Sequence, residues 1–398
     1  MASGKNLHLE HLEDEIINDG VKGGTEAIRI LKEMGTMLAG SGGPKPLVTT
    51  KFDGAPAIVC GIDPADGQFF VGTKSVFAKT APKICKSLSD IQLMYDGVLA
   101  GKLADAFTYL KNCGIKGVLQ GDLMFTNDKK NEMIDKKKYI TFRPNTITYA
   151  IEPNTPLGKK INSAKLGIVF HTKYVGNSLP EMKSSFDVKD NDFKSTGETW
   201  IQKAEFKDVG GAATFSKQEL RKYNQAIQKS ENSLRGAGSL LNSIQSGKKT
   251  LQIDTELKKF FNVYVKKGKV IPSVDKTYVD FMYHLGREYD KVLSKNKTLK
   301  AQADKAGKFM EAIDFIEANK SSFKKMLQSY KDIQTAKLML VNKMKKISEL
   351  KLFVDMGNGN YKVTTPEGFV AVSGDRAVKL IDRMEFARLN FTVPKSWA

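Results

Sequence analysis

Cysteine is scarce in this chain of 398 residues. The three present, Cys60, Cys85 and Cys113, are odd in number, widely spaced and without a C-x-x-C pair. That excludes a disulfide framework and a cysteine-built zinc site, and leaves reduced structural thiols. Long apolar runs are missing too, and Met1 to Leu7 lacks the apolar core of a signal peptide, so a soluble cytoplasmic protein with no membrane span is the expectation. No repeat of fixed period is present. Acidic residues are in short supply: 44 Asp and Glu stand against 63 Lys and Arg, a formal charge of +19 and a pI near 9.5. An imbalance of this size points to a polyanionic partner, nucleic acid ahead of an anionic membrane surface. The hydrophobic share of 41% is ordinary for a globular protein, and the length suits one elaborated domain or two.

From Leu7 to about Ala39 apolar residues recur at helical spacing, interrupted near Gly20 to Gly24, which predicts two helices. His8 and His11 would share a solvated face of the first rather than bind metal. Gly40 to Pro46 lacks the G-x-x-x-x-G-K-[ST] order of a phosphate cradle and is a linker by composition. A strand then leads into Lys51-Phe52-Asp53-Gly54, where the glycine permits a turn or a close backbone approach. A lysine at such a strand end becomes a nucleophile when its surroundings favour the neutral amine.

After a turn at Asp63 to Gly67, the residues Gln68 to Phe77 predict a hairpin and a strand end. This would bring Lys74 and Lys79 to the side of the Lys51 turn. Asp90 to Cys113 has a helical stripe weakened by Gly97 and Gly101. Gly117 to Phe125 is an apolar strand holding one acid, Asp122, which is costly inside a sheet unless paired or bound to a ligand. Strands are also expected at Tyr139 to Phe142, Thr146 to Ile151 and Leu166 to Tyr174.

From about Leu179 to Leu350 helical patterns dominate, clearest at Val274 to Leu293, Thr298 to Ala318 and Ser321 to Leu350. Residues 201–350 hold 30 Lys and Arg against 16 Asp and Glu, which is +14 of the total +19. His284 lies on an apolar helix face and reads as a packing histidine. Strand patterns return at Leu352 to Asp355, Tyr361 to Thr364, Pro366 to Val372 and Ala377 to Asp382. The third carries Glu367-Gly368 and the last carries Lys379 between apolar neighbours.

Lys51-x-Asp53-Gly54, Gly121-Asp122-Leu123, the Gly167 to Thr172 strand, Glu367-Gly368-Phe369-Val370 and Val378-Lys379-Leu380 stand in the order of the five core motifs of covalent nucleotidyltransferases. The chain resembles the ATP-dependent DNA and RNA ligases and messenger-RNA capping enzymes. It is most similar to ligase-like proteins of large tailed bacteriophages, over about Val48 to Tyr174 and Leu352 to Phe391. The resemblance implies an α+β fold: an antiparallel-rich nucleotidyltransferase core, ATP-grasp-like, with a basic all-helical insertion. The divisions would be N-terminal helices at 1–46, the first part of the core at 47–178, the insertion at 179–350 and the final core strands at 351–398.

Residue by residue, the resemblance implies Lys51 as the nucleophile on the α-phosphate of ATP, within an ATP site that includes Asp53 and Gly54. Asp122 stands where the family has a ribose-binding glutamate. Phe170, or alternatively Ile168, would stack on adenine. Glu367, with Asp122, would engage Mg²⁺. Lys379 would hold the α-phosphate and depress the pKa of Lys51, and Lys74 would meet the terminal phosphate of the acceptor. The implied activity is transfer of AMP to 5′-phosphate ends of RNA or DNA, in the host cytoplasm if the protein is viral. Three departures bear on it: Pro56 follows the motif glycine by two residues, Ala377 replaces the first of two motif lysines, and the stop at Ala398 leaves no room for an oligonucleotide-binding barrel. The last favours an RNA-ligase-like enzyme whose basic insertion grips the substrate. The alternatives are a catalytically degenerate nucleic-acid-binding or virion-associated protein and an enzyme that sends AMP to a protein or small molecule. Nothing in the sequence speaks to oligomeric state.

Overall fold

A computed structural model describes residues 10–40, 46–205, 213–267, 271–295, 298–345, 351–355, 361–364, 367–373 and 376–383. His8, most of the glycine-rich linker (41–45), Pro366 and the turns at 356–360 and 374–375 lie outside these. The chain begins with a short strand β1 (Glu10–His11) and a long helix α1 (Glu15–Leu38), kinked at Asp19 and Gly20, the latter at φ +56°. This break is where the apolar stripe falters. Strands β2 (Leu47–Lys51), β3 (Ala57–Ile62) and β4 (Phe69–Gly72) follow, then α2 (Leu88–Met94) and α3 (Gly97–Leu110) in place of one helix.

Next come β5 (Val118–Phe125), β6 (Lys130–Ile134), β7 (Lys137–Phe142), β8 (Ile147–Ile151), α4 (Pro156–Ser163), β9 (Leu166–Val175), β10 (Lys183–Ser185) and β11 (Thr199–Lys203). The helical region is α5 (Lys217–Gln245), α6 (Ile253–Lys266), α7 (Val274–Lys295), α8 (Leu299–Ala318) and α9 (Lys320–Met344). It therefore starts at Lys217 rather than near 179, because β10 and β11 still pair with β9. A reciprocal capping box between Ser216 and Glu219 starts α5. The chain returns to sheet with β12 (Lys351–Asp355), β13 (Tyr361–Thr364), β14 (Gly368–Ser373) and β15 (Arg376–Ile381).

The strands form three mainly antiparallel sheets. The first has the order β1-β15-β14-β2, the second β10-β9-β5-β3-β4 with β11 also on β9, and the third β13-β12-β8-β7-β6. The final strands are thus divided, β12 and β13 joining the third sheet while β14 and β15 complete the first. Period-two alternation separates the faces. In the first sheet Val48, Phe369, Ala371, Val378 and Leu380 enter the large core of the helices. In the second Leu119, Leu123, Ile168 and Phe170 pack with Leu103, Phe107 and Leu110 of α3. The opposite faces of these two sheets look onto a shared cleft.

Buried ion pairs fasten the first sheet to the helices. Lys337 Nζ donates to both oxygens of Glu13 at 2.7 Å, and both side chains are fully buried. Arg383 donates to Asp14, which also accepts from Tyr330 at 2.7 Å, and Arg376 reaches Glu15 and Asp19. Removing one member of the Lys337–Glu13 or Arg383–Asp14 pair strands a charge in the interior, at a cost of about 3–5 kcal/mol, whereas the Arg376 pairs are part-exposed. His284 is buried and bonded to Glu256 at 3.2 Å, and the three cysteines are buried free thiols.

Candidate active site

The cleft between the first two sheets has a volume of about 250 Å³, and its lining includes Lys51, Lys74, Asp122 and Lys379. Sheet register explains the convergence. Lys51 is the register partner of Gly368, and Lys379 and Thr49 are both partners of Val370. Lys51 and Lys379 therefore leave the same face of the sheet from the strands on either side of β14. From the facing sheet Gln120 and Asp122 of β5 alternate with the core residues Leu119 and Leu123. Lys74 is exposed on the wall, in a 3₁₀ turn (Lys74–Phe77) capped by Thr73.

Glu367, just before β14, is buried and forms an ion pair with the Lys51 ammonium. Burial by itself would lower the pKa of Lys51; the Glu367 carboxylate, backed by Asp122 and Asp53, reverses this and holds it above the ordinary lysine value. Burial pushes Glu367 up, against the pull of Lys51. The first direction keeps the Lys51 ammonium charged, and the second makes ionisation of the buried Glu367 carboxyl costly. Lys379 goes the other way, lowered by burial and then by the Lys51 charge. The expected depression of Lys51 by Lys379 is thus overturned: the carboxylate in contact outweighs the second cation, and Lys379 is the lysine whose pKa falls.

Asp53 and Gly54 build the turn. The Asp53 carboxylate is buried and accepts from Asn145 Nδ2 (2.7 Å), Thr146 N (2.8 Å), Ile147 N (3.0 Å) and the Thr146 hydroxyl. Its own N–H donates to Tyr149 at 2.7 Å. Its acceptor sites are filled by the start of β8, so Asp53 anchors the segment after Lys51. At Gly54 a Cβ would lie 2.5 Å from that of Asp122, so only glycine lets the turn press against β5. The contact is closed by Ala55 N donating to Leu123 O and Leu123 N to Pro56 O, both at 3.1 Å.

Phe170 is not in the cleft lining, which corrects the expectation of a stacking ring. It is fully buried behind the sheet against Phe193, with ring centroids 5.4 Å apart, and Ile168 lies in the same cluster. Alternation along β9 turns Val169 and His171 to the cleft instead. Rings that do line it are Phe52, His171, Tyr174 and Phe186. His171 Nε2 is 3.7 Å from Asp122, its Nδ1 is 2.8 Å from the Thr172 hydroxyl, and Tyr174 donates to Gln120 at 2.6 Å. None of these was singled out from the sequence; the signal available was strand alternation, which assigns 169 and 171 to the face opposite 168 and 170.

His11 departs from the helical expectation. It sits in β1 as the parallel register partner of Lys379, not on a helix. Its Nδ1 is buried without a hydrogen-bond partner among the described residues. Burial, then the charges of Arg383, Lys337, Lys379 and Lys51, hold its pKa well below the usual value, so the ring is neutral.

No group of three or more His, Cys, Asp or Glu side chains converges as a metal cage among the described residues. Two carboxylates, Glu367 and Asp122, face the same lysine. That donor set fits an ion such as Mg²⁺, which takes one or two carboxylates and draws its other ligands from phosphate and water. No helix among the described residues is long and apolar enough to cross a membrane.

The chain belongs to a family of unknown function, DUF6267, whose model matches residues 6–395. No curated protein and no solved structure matches it.

Proposed function

We propose that this member of the family is an ATP-dependent adenylyltransferase that carries AMP on Lys51 and passes it to a 5′-phosphate end of RNA or DNA, as an RNA-ligase-like end-joining enzyme does. One observation carries the reading. Lys51, Lys74, Asp122 and Lys379, drawn from four separate stretches, line a single cleft, and Glu367 closes on Lys51. A single ion pair would account for Lys51 and Glu367 alone; the reading is supported by two further lysines and a second acid on the same cleft.

In this reading the amine must first lose its proton, and Glu367, whose carboxyl is raised by burial, is the adjacent acceptor. Lys51 Nζ then attacks the α-phosphorus of ATP: a P–N bond forms, the bond to the bridging oxygen breaks, and pyrophosphate leaves with that electron pair. Lys379 offsets the charge that develops on the α-phosphate. Mg²⁺ held by Glu367 and Asp122 would supply charge neutralisation at the phosphates. A 5′-phosphate oxygen next attacks the same phosphorus, the P–N bond breaks and the leaving amine of Lys51 takes back the proton carried by Glu367. Lys74 meets the terminal phosphate of that acceptor, and Phe52, His171 and Phe186 take over the stacking expected of Phe170.

A second reading, a nucleic-acid-binding or virion-associated protein that has lost catalysis, is favoured by Ala377 at the place of a motif lysine and by the firm Lys51–Glu367 pair. The two separate on incubation with α-labelled ATP and Mg²⁺, then denaturing electrophoresis. Acid-labile label that persists through denaturation and disappears in Lys51→Ala supports the enzyme. Its absence across metals and pH refutes it in favour of the binding protein.

A further inference from the structure

The basic excess of the helical region is unevenly spread. Helices α7 and α8 together carry seven Lys and Arg against eight Asp and Glu, whereas α5 carries five against two and α9 six against one. The two acids of α5 are already occupied: Glu219 pairs with Lys343 of α9 at 2.8 Å and Glu231 with Lys32 of α1 at 2.6 Å. The five cations, Lys217, Arg221, Lys222, Lys229 and Arg235, are all exposed, and none is in a contact ion pair among the described residues, Lys229 facing the Asp332 carboxylate of α9 at longer range.

At roughly 100° per residue these five fall within an arc of about 140° on the outer face of α5, and they span about 27 Å of its axis. Helix α9 runs antiparallel along α5, with the Ser230 and Ser329 hydroxyls 2.8 Å apart at the crossing. It adds a sixth cation: the stem of exposed Lys325 lies across Gly236, where a Cβ would overlap Lys325 Cδ. A side chain at 236 would lift that ammonium off the strip.

We propose that the outer face of the α5–α9 pair is a docking strip for the phosphate backbone of double-stranded nucleic acid. Charge selects a polyanion, and four of the six cations are lysines, which act as point charges on phosphate rather than as base readers. The large exposed apolar side chains, Leu93 and Tyr283 among them, include none on α5 or α9, so the strip offers no stacking platform for unpaired bases. Its length matches about eight base pairs at about 3.4 Å each. The inference rests on nucleic acid being the acceptor, and its test is independent of the chemistry at Lys51.

The experiment is fluorescence anisotropy of labelled duplex and single-stranded DNA and RNA against salt. The triple variant Lys222→Glu/Lys229→Glu/Lys325→Glu should bind duplex at least about tenfold more weakly near 0.1 M salt, with the log–log salt slope reduced by about three. The same three positions changed to Arg should bind as the parent does, which separates loss of charge from loss of fold. Reversal of Lys300, Lys305 and Lys308 on α8 should leave binding within about threefold, since those charges lie off the strip. Equal losses from both triples, tighter binding to single strands than to duplex, or binding to phosphatidylserine vesicles without duplex binding would each overturn the proposal. Duplex binding that persists in a protein unable to label itself with ATP would leave this surface standing and remove the enzymatic reading.

Discussion

Replacing Glu367 by Gln keeps the shape of the side chain and removes the charge that holds the Lys51 proton. A contact ion pair at an effective dielectric of about 20 is worth about 4 kcal/mol. Lys51 retains 29% exposure of its side chain, so solvent screening reduces this to about 2–3 kcal/mol. At 1.36 kcal/mol per pKa unit, the neutral amine at fixed pH becomes about 30- to 150-fold more abundant. The assay is trace labelling with acetic anhydride at pH 8, read by mass spectrometry as the ratio of Lys51 to Lys74, an exposed lysine of the same cleft that serves as internal reference. Lys51 should gain in Glu367→Gln by that factor, while the AMP transfer proposed for Lys51 should fall with loss of the carboxylate proposed to take its proton and hold the metal. The raised lysine contributes stability below its ordinary pKa, lost as pH rises through the higher folded value. The raised Glu367 carboxyl acts oppositely, since its ionisation costs stability at pH 7, so the variant removes a gain and a cost together and the labelling ratio is the readout. A labelling ratio that stays level or drops would show that Glu367 is not what keeps Lys51 protonated.

Asp53→Asn should lower stability by about 2–3 kcal/mol in urea unfolding, because one amide oxygen must replace two carboxylate oxygens among four donors. An unchanged midpoint would contradict the anchoring role. Phe170→Ala opens a cavity in the second core and should cost about 3–4 kcal/mol while nucleotide affinity stays within about threefold; a selective loss of nucleotide binding would restore the ring to the cleft. Asp192 resists the upward push of burial because Lys173 and the Lys189 N–H bind it at 2.6 and 2.9 Å, leaving its pKa below the ordinary 3.8. Its contribution is present above that value and fades as pH falls toward the depressed one, so Asp192→Asn should flatten the acid limb of urea midpoints against pH. An acid limb identical to the parent's would place the sensitivity elsewhere.

Much of the local structure was legible in the residue order. Hydrophobic periodicity of 3.6 marked α7, α8 and α9, and alternation marked β5, β8, β9 and the four C-terminal strands, because side-chain spacing is a local property of the backbone. The residues Lys51, Asp122, Glu367 and Lys379 could be singled out as polar groups at strand ends or inside apolar runs. Only the tertiary structure decided which of them meet. Lys51 and Glu367 are 316 positions apart, and their pairing depends on β14 lying beside β2 in one register. The face of Phe170 was a matter of strand phase: a shift of one residue exchanges core for cleft, and apolar residues at 168, 169 and 170 leave that phase undefined without the packed α3. His11 belonged to a two-residue strand with no periodicity to read, held in place by β15 from the far end of the chain. The shifted titration of Lys51 and Glu367 is likewise a tertiary property, since burial and an opposite charge from a distant strand act on each together.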